Sequence, residues 1–81
     1  MKRIHWQDHI TIAPDLHHGE ACIRGTRIPV AIIVGSLADG STYEEIKQAY
    51  PQLKSEDIQA ALAYAAETLR SDVFAPLGSE L

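Results

Sequence analysis

Eighty-one residues, 46% apolar and 22% charged, suit one globular domain with a thin core, which excludes a disordered chain. Seven Lys and Arg against eleven Asp and Glu leave a net charge of −4, excluding the broad basic footprint on which non-specific DNA binders rely. A lone cysteine excludes an internal disulfide, and no apolar stretch approaches the roughly 20 residues that cross a bilayer, so no membrane contact and a cytoplasmic location are expected.

The first residues, Met1 to Asp8, turn polar before a signal-peptide core could form. Trp6 with Ile4 and His5 makes a small apolar patch expected to cover the helices or a dimer mate. Ile10-Thr11-Ile12 is a short β-prone run closed by the turn signal Ala13-Pro14-Asp15. His17-His18-Gly19-Glu20 reads as a loop, after which Ala21-Cys22-Ile23 pairs back as a second strand. Two such strands are marginal alone and must pack on helices. Next comes Ile23-Arg24-Gly25-Thr26-Arg27-Ile28-Pro29-Val30, where Gly-Thr between two arginines suggests a tight turn. Pro29, with its preset φ and no amide hydrogen, suits the first turn of a helix.

From Pro29 the period becomes helical. Val30, Ile33, Val34 and Leu37 fall on one face, and Gly40 stands where a left-handed cap ends a helix. Ser41-Thr42-Tyr43-Glu44 has the S-x-x-E pattern that caps a second helix, with Ile46 and Ala49 inward. That helix is short because the residue before Pro51 disfavours the α region, and Leu53 is expected to plug the core from the turn. Ser55 is the expected cap of a third helix, with Glu56 and Asp57 at the positive end of its dipole. Its expected apolar face is Ile58, Ala61, Leu62, Ala65 and Leu69. The pattern predicts a mainly α fold: a tri-helical helix-turn-helix, homeodomain-like in outline, with a short N-terminal β arm. Residues 1–70 form the domain, with the arm over 1–29 and the helices over 30–70, and residues 71–81 are a C-terminal tail.

Several runs carry a family resemblance. They are the Ile-Arg-Gly-Thr-Arg-Ile-Pro-Val segment at 23–30, Leu37-Ala38-Asp39-Gly40-Ser41, Glu44-Glu45-Ile46, Tyr50-Pro51-Gln52-Leu53, and the stretch from Glu56 to Ala65. On them the chain resembles the family catalogued as domain of unknown function number 433, from about Ile10 to Arg70. That family commonly has a proline before the arginine pair, where this chain has Ala21. The resemblance implies an antitoxin of the VapB-like kind. Such a protein blocks a PIN-like ribonuclease toxin by direct binding and, with it, represses the shared promoter by binding operator DNA.

Arg24 and Arg27 are the first candidates for function. Guanidinium groups hold phosphate or an acidic partner bidentately, yet arginines beside a tight turn also lock local geometry, and both readings stand. The third helix is the candidate recognition helix. Gln59 suits adenine, Lys54 and Ser55 suit phosphate, and Lys47 on the second helix suits backbone phosphates, although Glu56 and Asp57 would repel them. Ala60, Ala63 and Ala66 offer a small-residue surface for pairing in a homodimer. Toxin binding falls to Arg70, Val73, Phe74 and Leu77; the last three serve a partner groove, or else Phe74 and Leu77 cap this chain's own core. His17-His18 and Cys22 lack the spacing of a metal site, Cys22 reads as a small buried hydrophobe, and neither a cofactor nor enzyme chemistry is expected. The rival functions are a stand-alone helix-turn-helix DNA-binding regulator and a protein–protein adaptor without DNA binding.

Overall fold

In a computed structural model describing residues 4–12 and 19–71, the β arm and the three helices follow in the expected order. A single 3-10 turn over Trp6–Asp8 precedes β1 (Ile10–Ile12), which pairs antiparallel with β2 (Ala21–Ile23). The register sets Ile10 opposite Ile23, Thr11 opposite Cys22 and Ile12 opposite Ala21. All three β2 residues are buried, because β2 also meets the chain on its other side. The Ile23 amide donates to the Ile28 carbonyl at 3.0 Å, and Cys22 bridges Pro29. Between these pairings the chain turns on Gly25, whose φ of +80° and the Thr26 amide bond to the Ile23 carbonyl mark a type II turn.

Pro29 therefore stands just ahead of α1 (Val30–Ala38), not within its first turn. Its ψ of 144° is the extended value its pairing with Cys22 requires, and a residue with no amide hydrogen is tolerated at that sheet edge. Val30 and Ile33 are buried, with Val34 and Leu37 packed beside them, as the period implies. The helix closes through two bonds, Gly40 N–H to the Leu37 carbonyl and Ser41 N–H to the Ser36 carbonyl, both 3.0 Å. Gly40, at φ +99°, supplies the left-handed residue this closure needs.

The Ser41 amide thus belongs to α1, and the capping box of α2 (Tyr43–Ala49) forms one residue later than the S-x-x-E pattern suggests. The Glu45 amide donates to the Thr42 hydroxyl at 3.1 Å, and the Thr42 amide donates to the Glu45 carboxylate at 2.8 Å. Thr42→Ala is expected to cost about 1 kcal/mol in urea unfolding and Ser41→Ala markedly less; equal losses would return the box to Ser41. Ile46 is buried, but Ala49 is exposed, because the inward side of this short helix tilts toward Tyr43 and Tyr50.

Tyr50 leaves the α region ahead of Pro51, as expected, and Leu53 is buried in the turn. The third helix, α3 (Ser55–Ser71), begins at Ser55, so Ser55 does not cap it. Asp57 does that work, its carboxylate accepting the Lys54 amide at 3.0 Å. The buried face of α3 is also rotated from the expected one. Ile58, Ala60 and Ala61 are fully buried, whereas Leu62 is 38% and Leu69 69% exposed. The arm causes the rotation. Trp6 packs edge-on against Tyr64, with ring centroids 4.9 Å apart, and its indole N–H donates to Glu67. The arm thereby covers the Asp57, Ala60 and Tyr64 side of the helix. Ala60 belongs to this chain's own core and is not free for pairing. The outcome is a tri-helical helix-turn-helix fold carrying an N-terminal β hairpin arm. No described helix is long and apolar enough to cross a membrane.

Candidate nucleic-acid interface

The helix-turn-helix is formed by α2, residues 50–54 and α3, and it brings Lys47, Lys54, Ser55 and Gln59 to one end of the domain. The Lys47 ammonium donates to the Ser55 hydroxyl at 3.0 Å and lies 3.4 Å from the Glu44 carboxylate. The two helices are thereby tied at the site itself, and Lys47 is partly neutralised. Lys54 and Gln59 are exposed, and neither side chain has a hydrogen-bond or ionic partner among the described residues. Over residues 39–59 these two lysines meet five carboxylates: Asp39, Glu44, Glu45, Glu56 and Asp57. A polyanion approaching this end meets net repulsion unless another chain adds positive charge.

The paired arginines separate in role. Arg24 turns back on the arm, its guanidinium donating to the carbonyls of Gln7 at 2.9 Å, Ile10 at 3.2 Å and Asp8 at 3.3 Å. Its own amide donates to the His9 carbonyl at 2.7 Å. Arg27, on the far side of the turn, is exposed and has no partner among the described residues. The turn between them is held by Thr26, whose hydroxyl donates to the Ile23 carbonyl and accepts from the Ile28 amide.

One pairing has no local signal in the sequence. His9 Nδ1 lies 2.9 Å from Asp57 Oδ1, and since a carboxylate accepts, Nδ1 carries the hydrogen. Asp57 thus joins the arm to the start of α3, holding the Lys54 amide with its other oxygen. It spans 48 positions, beyond the reach of any periodicity.

Arg70 is exposed at the end of α3 and, with Trp6, Ala63, Ala66 and Glu67, lines a cleft of about 210 Å³. Val73, Phe74 and Leu77 lie outside the described residues. Cys22 is fully buried, and burial together with the nearby Glu20 carboxylate pushes its thiol above the ordinary 9.0. The neutral thiol persists in the fold where the unfolded chain ionises, so this group's contribution to stability declines as pH rises past that value. Iodoacetamide is expected to spare Cys22 in the native protein and modify it in urea; rapid native labelling would contradict its burial.

Comparison with known proteins places these features in a family. The family described as "protein of unknown function (DUF433)" matches residues 10–65. The uncharacterised protein y4eO of Sinorhizobium fredii (strain NBRC 101917 / NGR234) is 39% identical over 56 residues, 69% of this chain and 25% of its own length. A crystal structure of a DUF433 member protein from Anabaena variabilis ATCC 29413 superimposes with a TM-score of 0.74 at 37% identity. That match covers 80% of this chain and 64% of the Anabaena chain. The present chain therefore spans about a quarter of the Sinorhizobium protein and just under two thirds of the Anabaena one.

Proposed function

The chain belongs to the DUF433 family, and from that membership we propose that it is the antitoxin of a type II toxin–antitoxin pair. It neutralises a PIN-like ribonuclease toxin by direct binding in the cytoplasm, and as a homodimer in complex with that toxin it binds operator DNA and autoregulates the operon. The observation that carries the DNA-binding part is the helix-turn-helix end, where Lys54 and Gln59 stand exposed and without a partner among the described residues at the start of α3. Arg27 adds an exposed guanidinium on the arm that has no partner among the described residues. The carboxylates around the lysines favour DNA binding by the complex over binding by the chain alone.

The same carboxylates favour a second reading, an adaptor whose helix-turn-helix contacts only protein. Tagged chain recovered from its native cells, with partners identified by mass spectrometry, tests the first half. A stoichiometric small nuclease with clustered carboxylates supports the antitoxin reading; recovery of the chain alone counts against it. Gel-shift titration of the chain and of the complex across salt tests the second half. Binding whose logarithm falls linearly with that of salt supports DNA contact, and no binding at low salt by either species leaves the adaptor.

A further inference from the structure

We propose that the arm sets the start of α3 through a clasp of two side chains, His9 and Asp57, which makes both of them positioning residues for Lys54. A chain of hydrogen bonds carries it. The His9 backbone is held at both ends: its amide donates to the Trp6 carbonyl at 2.8 Å, and its carbonyl accepts the Arg24 amide at 2.7 Å. The imidazole is thus presented from a fixed point, and its Nδ1 meets Asp57 Oδ1 at 2.9 Å. The other oxygen, Oδ2, accepts the Lys54 amide at 3.0 Å. One carboxylate therefore has a local partner and a partner 48 positions away, and its side chain is only 15% exposed.

The cap explains why the distant partner matters. Lys54 stands directly ahead of α3, and its carbonyl accepts the Asp57 and Ile58 amides at 2.9 and 3.3 Å, the first bonds of the helix. At the start of α2 the corresponding box is reciprocal, since Thr42 and Glu45 each hold the other's amide. A lysine side chain has no acceptor, so at α3 only half of such a box forms, and the Asp57 carboxylate carries it alone. The imidazole supplies the missing restraint by fixing that carboxylate in one orientation. Without His9, Asp57 turns toward water and releases the Lys54 amide. A carboxylate beside Lys54 also weakens attraction for phosphate, so geometry and not charge accounts for its place there. The use of Lys54 in DNA contact rests on the proposed function; the clasp does not.

Amide exchange measured by nuclear magnetic resonance on the full chain, His9→Leu and His9→Asn decides it, with circular dichroism confirming that each variant folds. Leucine removes the donor, whereas the amide nitrogen of an asparagine side chain takes the place of Nδ1 and restores it. His9→Leu is expected to speed exchange at Lys54 about fivefold and to leave Thr42, the matching amide of the α2 box, unchanged. His9→Asn is expected to return the Lys54 rate to within about twofold of wild type. An unchanged Lys54 rate in folded His9→Leu overturns the clasp, as does an acceleration that His9→Asn leaves in place or that Thr42 shares. The imidazole nitrogen shifts of wild type give a second reading that needs no variant: a hydrogen on His9 Nδ1 supports the clasp, and a bare Nδ1 overturns it. Gel-shift titration with a duplex of the promoter ahead of the chain's own gene distinguishes a failed clasp from a failed DNA reading. No binding by wild-type chain or complex sinks the DNA reading, and the exchange rates alone then decide the clasp. Where the complex binds, His9→Leu is expected to weaken it about threefold at an unchanged salt slope, since no phosphate contact is lost; an unchanged affinity overturns the positioning role.

Discussion

Ile58→Ala is expected to lower the unfolding free energy by about 3–4 kcal/mol, a large share of what a domain of this size possesses. The residue is fully buried in the one apolar cluster that joins Ile10 and Ile23 of the arm, Ile33 of α1, Ile46 of α2 and Leu53 of the turn. Every element of the fold reaches that cluster, so no single wall can move inward to fill the space left by the missing carbons. The loss therefore includes a cavity contribution on top of the transfer of apolar surface, about 24 cal/mol for each Å³ left empty. Ile32→Ala is the matching control: Ile32 is 44% exposed on α1 and should lose less than about 1 kcal/mol. Urea unfolding reads both, with a shifted midpoint and an unchanged slope for Ile58→Ala. Equal losses at the two positions would mean that the core is not centred on α3.

The contrast also shows what was legible in the sequence. The face of α1 was readable because Val30, Ile33, Val34 and Leu37 repeat at helical spacing and the helix packs on one side only. The face of α3 does not follow from the period, because two surfaces compete for that helix. Its apolar stripe runs through Leu62 and Leu69, but the arm covers the adjoining side with Trp6 and His9. Periodicity reports where apolar residues lie, not which segment arrives to cover them. The caps were legible to within one residue, since Ser41–Glu44 and Thr42–Glu45 both satisfy the pattern and only the closure of α1 separates them. The candidate site was legible in part. Lys54 and Gln59 lie exposed where a recognition helix would present them, whereas the difference between Arg24 and Arg27 depends on a 3-10 turn that begins eighteen residues upstream of Arg24.

That difference leads to the second large effect. Arg24→Ala is expected to cost about 2 kcal/mol, while Arg27→Ala should change stability by less than about 0.5 kcal/mol. Arg24 supplies charged donors to the carbonyls of Gln7, Asp8 and Ile10, around the end of the 3-10 turn and the first residue of β1. Without it those carbonyls turn to water, and the segment carrying Trp6 and His9 loses its anchor against the start of β1. Partial exposure of the guanidinium keeps the figure below the sum of three charged hydrogen bonds. Lysine should restore little, because one compact ammonium cannot match the fixed fork that reaches all three oxygens. Arg27 has no partner to lose among the described residues, so an effect there is expected in what the protein binds. If it meets phosphate in the operator complex, Arg27→Ala lowers the salt slope by about 0.9 and leaves the melting temperature unchanged. Arg24→Ala should lower the melting temperature and keep the slope wherever the domain remains folded. A reversed pattern, with Arg27 stabilising and Arg24 setting the slope, would overturn the assignment of the clasp to Arg24.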